Sequence, residues 1–116
     1  MTEVVVSDTS PLQYLHLADA ISVLPRLYGR IIVPPAVVAE LAAGKARGYH
    51  TPSLDGLKWV EITAPISLRS LPSKLGIGEQ EAISMAVERG LPLLVDDRDA
   101  RLCARGLGSR RYWNEL

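Results

Sequence analysis

VVVSDTSP, residues 4–11, is the stretch on which the fold turns. Three valines and a serine without polar alternation read as a strand covered on both faces, the pattern of a parallel sheet. Ser10-Pro11-Leu12-Gln13 then reads as a helix start, with Ser10 as N-cap, Pro11 in the first helical position and Gln13 closing a capping box. Asp8 falls in the turn between strand and helix. A capping acid is the bland account of it, but Ser10 already supplies the cap, which leaves Asp8 without a local task. Ligands of open parallel sheets bind beyond the carboxyl ends of the strands, so Asp8 is a candidate site residue.

The same grammar repeats along the chain. RIIVPPAVVAELAAG, residues 30–44, gives a strand over Ile31–Val33, a helix opening at Pro34-Pro35 and running to Ala43, and Gly44 as its stop. Between these units, a helical stretch through Leu12, Leu15 and Ala18 continues after Asp19 as a second helix, kinked or stopped near Pro25 and closed at Gly29. A polar connection over 45–56 leads to a strand around Trp59–Ile62. GEQEAISMAVERG, residues 78–90, makes a helix with Ala82, Ile83, Ala86 and Val87 as one apolar stripe and Gly90 at its end. LPLLV follows as another continuous apolar strand, then Asp96-Asp97, then a helical RDARLCARG. Strands alternating with helices predict an α/β domain with a mainly parallel sheet and right-handed crossovers.

Composition sets outer limits. The chain has 116 residues, enough for one domain, with 47% hydrophobic residues and no run near the ~20 apolar residues a membrane span needs. Its start, MTEVVVSDTS, carries an acid where a secretory signal is basic, so the expected location is cytoplasmic. Cys103 is the single cysteine, which leaves no intrachain disulfide and no cysteine-rich metal site. Thirteen basic and thirteen acidic residues cancel, so a polyanion would be held by a local patch instead of the overall field.

The acids carry the chemical signal. Asp8 ends the first strand and Asp96 and Asp97 end the last clear one, at the same edge of the sheet. Glu79 continues the buried stripe of its helix, whereas Glu81 shares a face with Ser84, Met85 and Glu88, so Glu79 is preferred; a helix-dipole role would account for either. Glu40 lies at the edge of the Val37–Leu41 apolar face, with a solvent-edge glutamate as its plain alternative. Converging, Asp8, Glu40, Glu79 and Asp96 or Asp97 would repel one another unless protonated or filled by a cation. An all-oxygen set selects Mg²⁺ or Mn²⁺, and hydrolysis of a phosphodiester is what such a cluster serves.

Three segments together, VVSDTSPLQYL, IIVPPAVVAEL and LGIGEQEAISMAVERGLPLLVDDRDARLCARGLG, resemble a PIN-domain protein of the prokaryotic VapC-type toxin-related group, over most of residues 4–108. The resemblance implies a three-layer α/β/α domain with a central, mainly parallel sheet, a Mg²⁺- or Mn²⁺-dependent ribonuclease, and an antitoxin partner that blocks the site. By position Asp8 matches the first acid, Glu40 the acid of the PxxVxxEL helix and Glu79 the acid opening the next helix. Asp97 fits the general spacing of the last acid, and the LLVDDRDAR context makes Asp96 equally eligible. Similar proteins continue beyond the ARGLG segment with further strand and helix, while this chain reads SRRYWNEL to its end, so 1–116 is expected as one domain with elements after about residue 108 missing. A shortened chain of that kind would expose apolar surface and self-associate, and a homodimer is expected.

Candidate substrate contacts are Thr9, Arg98 and Arg101, with Arg105 on the same helical face and Lys45, Arg47 and His50 in the middle connection. Tyr49, Tyr112 and Trp113 are aromatics able to stack on unpaired bases. The main reading is an endoribonuclease with an RNA substrate, acting as the toxin of a toxin-antitoxin pair. A catalytically silent PIN-like module that binds an antitoxin or its own copy is the alternative, and a phospho-accepting receiver domain ranks last for want of a lysine after a late strand.

Overall fold

A computed structural model describes residues 3–72 and 75–95, and 111–113 as backbone alone. Five strands, β1 (Val4–Ser7), β2 (Arg30–Val33), β3 (Val60–Ile62), β4 (Leu93–Val95) and β5 (Arg111–Trp113), form one sheet in the order β3-β2-β1-β4-β5. Every neighbouring pair is parallel. The chain therefore builds outward from β1 to β2 and β3, then crosses back to place β4 on the other side of β1. That reversal lies between β1 and β4, where Asp8 N–H donates to the carbonyl of Leu94 at 3.1 Å, and open parallel sheets bind ligands beyond such a point.

The strands carry apolar residues on both faces because both faces are covered. Val5, Ile31, Val33 and Leu94 pack with α1 (Thr9–Leu17), α2 (Leu24–Leu27) and α3 (Pro35–Ala46) through Leu12, Leu15, Leu24, Val37 and Leu41. Their chain neighbours Val6, Ile32, Leu93 and Val95 face the opposite layer, where α4 (Ile77–Arg89) supplies Ala82, Ile83, Met85 and Ala86. The result is the three-layer α/β/α arrangement. The period of two along each strand assigns alternate side chains to alternate cores.

Several local expectations are corrected. The first helix begins at Thr9, so the N-cap position is Asp8 and not Ser10, and no side-chain hydrogen bond caps it. Gln13 closes no capping box; its Nε2 donates to the carbonyl of His50 at 2.8 Å. Pro25 opens α2 instead of ending a helix, because its fixed φ suits the first turn. Nor does Gly44 stop α3. The helix runs through it to Ala46, and Gly48, at φ +92°, makes the left-handed exit. Tyr49 N–H then donates to Gly44 O and Gly48 N–H to Lys45 O, both at 3.0 Å, which closes a Schellman motif. A sheet element does follow residue 108: β5 pairs with β4 along Leu93–Val95. The expected RDARLCARG helix lies outside the described residues.

At the β2–β3 side Arg30 and Glu61 pair at 2.9 Å, with Arg89 at 3.6 Å. The hydrogen bond from Thr63, then that from Arg30, hold the Glu61 carboxyl below its ordinary range, outweighing a small opposing desolvation. A carboxyl depressed in the folded state stabilises above its unfolded pKa, and that stability is lost as pH falls through the folded value. Urea unfolding midpoints of wild type and Glu61→Gln should therefore converge as pH falls below about 4.3 and separate above it, with wild type the more stable.

Candidate active site

Glu40 is the centre of the arrangement. It projects from the second turn of α3, and both its oxygens are held from other elements. Thr9 Oγ1 donates to Oε2 at 2.8 Å, and the Gly78 N–H at the start of α4 donates to Oε1 at 3.0 Å. Gly78 lies among the first helical residues, whose N–H groups have no partner within their own helix, and a carboxylate there gains from the helix dipole as well. Glu40 thus ties α1, α3 and α4 together at the carboxyl edge of the sheet.

Glu79 reaches the same spot from α4. Its Oε1 accepts the Gly76 N–H at 2.8 Å. A Cβ built on Gly76 would stand 3.4 Å from Glu79 Oε1 and 3.9 Å from Glu40 Oε1, so the two carboxylates flank one point. Asp8 directly follows β1 and is 2% exposed, a carboxylate kept in the interior next to the threonine that grips Glu40. Burial of such a group is costly unless its surroundings compensate the charge. Thr9, Glu40 and Glu79 thus meet at the α4 start, and Asp8 precedes Thr9 at the end of β1. No three His, Cys, Asp or Glu side chains among the described residues close on one point tightly enough to hold an ion. Asp96, Asp97, Arg98, Arg101 and Arg105 lie outside the described residues.

Glu81 has a different task from the one its sequence neighbours suggest. Ser84 and Met85, which share its face, are buried, and Glu81 Oε1 accepts the Ala36 N–H at 2.9 Å. It thereby satisfies a donor in the first turn of α3. His16 and His50 are engaged with each other, Nε2 to Nδ1 at 2.8 Å with rings stacked 4.6 Å apart. Gly78 is the residue that sequence reasoning passed over. An added Cβ there would overlap Glu40 Oε1 and lie 3.0 Å from its Cδ. Only the glycine immediately before Glu79, in LGIGE, hinted at it.

A family model for the PIN domain (DUF3368) matches residues 4–110. The chain belongs to the PIN-domain family. Members of that family are generally nucleases. Among solved structures, this PIN domain is similar to a PilT N-terminus domain protein from the hyperthermophilic archaeon Sulfolobus solfataricus P2, with a TM-score of 0.63 at 20% sequence identity over 96% of this chain and 87% of that one. At that identity the likeness concerns the fold. No curated protein matches the chain. No helix among the described residues is long and apolar enough to cross a membrane.

Proposed function

We propose that this PIN domain is a divalent-metal-dependent endoribonuclease that hydrolyses RNA phosphodiester bonds, with Asp8, Glu40, Glu79 and Asp96 or Asp97 as its acids. The observation that carries the reading is Glu40, fixed through both oxygens beside Glu79 at the sheet's reversal point. A carboxylate oxygen has two lone pairs, and each Glu40 oxygen uses one on a protein donor, which leaves one for a cation. The donor set is oxygen throughout, as Mg²⁺ or Mn²⁺ requires, and the acids of Asp8, Glu40 and Glu79 would be its holders. When bound, such an ion supplies activation of water and charge for the leaving oxygen.

The chain's own part is positioning. Thr9 and Gly78 hold the Glu40 carboxylate in one orientation, and the Asp8 N–H bond to Leu94 O fixes the Asp8 backbone. The toxin role, with an antitoxin over the site and a homodimeric chain, belongs to the same proposal and rests on the motif resemblance.

The test is a pair of measurements on the wild-type chain: Mn²⁺ titration by calorimetry, and cleavage of a mixed RNA pool in Mn²⁺ against excess EDTA. Saturable Mn²⁺ binding with EDTA-sensitive cleavage supports the reading; a folded chain that binds no Mn²⁺ overturns it. Thr9→Val, which keeps shape and removes the hydroxyl, should weaken Mn²⁺ binding by about 10–100-fold, the usual cost of losing a group that orients a ligand. Thr9→Ser should restore most of it.

A further inference from the structure

Beside the acids an open cleft of about 520 Å³ begins at Thr9 and Glu40 and follows α3 to Arg47, Tyr49 and Thr51. Its far end is an aromatic platform. Tyr49 is 63% exposed, yet its backbone is fixed by the Schellman bond to Gly44 O. Tyr49 Cβ and Cδ2 each lie 4.0 Å from where a Gly44 Cβ would be, so the ring borders bare helix. Arg47 sits over the ring, its guanidinium carbon 5.9 Å from the centroid. Two further bonds pin the loop that carries the platform, from Thr51 Oγ1 to Leu41 O at 3.0 Å and from Gln13 Nε2 to His50 O.

We infer that this cleft is a nucleotide subsite, in which an unpaired base of the RNA stacks on Tyr49 while Arg47 meets its phosphate and the neighbouring phosphodiester lies at the acids. The inference rests on the nuclease reading and extends it to two residues, Tyr49 and Arg47, that would hold the strand beyond the acids. Stacking needs a free base face, so the subsite selects single-stranded or loop RNA over duplex. A large exposed aromatic in a pinned loop gives up little freedom when a base covers it. Charge runs the right way along the cleft: the Glu40 carboxylate, with Glu79 beside it, at one end for a cation and the scissile group, a guanidinium at the other for the next phosphate. The seven positions from Glu40 to Arg47 span about 10 Å of helix, a reach suited to one flanking nucleotide.

The test is fluorescence anisotropy of a labelled oligouridylate and of an abasic strand of equal length, in EDTA and again in Mn²⁺ at times shorter than cleavage. Tyr49→Ala should weaken oligouridylate binding about tenfold and leave abasic-strand binding unchanged, and Tyr49→Phe should bind as wild type does. Arg47→Gln should lower the salt dependence by about one phosphate contact. If Tyr49→Ala binds oligouridylate like wild type, the subsite is overturned and the nuclease reading stands. If wild type binds neither strand in either condition, the nuclease reading falls and the subsite with it.

Discussion

Asp8→Asn is expected to remove Mn²⁺ binding and RNA cleavage together while leaving the protein folded. The side chain is interior, directly follows the central strand and is not used to cap the helix it precedes. Asparagine has nearly the same shape, so β1 and α1 should form as before. What changes is charge: one acid fewer at the carboxyl edge of the sheet, hence less attraction for a cation. The loss should exceed the about 10–100-fold cost of removing an orienting group, since here the ligand itself changes. Thermal unfolding should show an unchanged or higher midpoint, because sites that hold like charges together trade stability for function. Calorimetry and cleavage on the same preparation decide it. A folded Asp8→Asn protein that keeps Mn²⁺ affinity would take Asp8 out of the site.

Gly78→Ala is expected to match a Glu40→Gln variant in activity without resembling a damaged fold. Alanine at this helical position favours α4 by up to ~1 kcal/mol relative to glycine. Its methyl group, however, would occupy the space of the Glu40 carboxylate. The atoms it meets are the far end of a flexible side chain on the surface, so Glu40 turns away at small cost in stability. Turning away loses the Gly78 N–H and the Thr9 hydroxyl at once. Cleavage should fall by more than about 100-fold, with the unfolding midpoint equal to or above wild type. Retained cleavage would show that Glu40 can work from another position, and Gly78 would lose its role.

The layered fold was legible because its strands are short, apolar and undiluted: VVVS, RIIV and LLV admit few other readings, and each is followed by a turn or helix signal. Helix ends were harder. Gly44 looks like a stop because glycine tolerates the left-handed exit, yet Gly48, four positions on, takes that conformation. Ser10-Pro11 imitates a helix start that the chain makes two residues earlier, with Asp8 in an N-cap position that no side-chain hydrogen bond closes. Asp8 could be singled out because its setting is local, at a strand end. Glu40 could be placed on its helix but not given neighbours, since Thr9 and Gly78 are 31 and 38 positions away. Periodicity also set Glu81 apart from Glu79 for an inexact reason: Ser84 and Met85 share its face and are buried, and Glu81 serves the α3 start.

The strand order has a temporal side. Val6 pairs with Leu93, so the centre of the sheet joins segments made far apart in time. At about 5–20 residues per second of synthesis, β1 waits roughly 4–17 s for β4 to leave the ribosome. During that interval β1 and β2 can associate, but α4, which brings Glu79 and the Gly78 N–H, has not yet crossed over the sheet. A nascent chain therefore carries Asp8 and Glu40 well before α4 can bring the Gly78 N–H to Glu40, and any cleaving activity waits for that crossover.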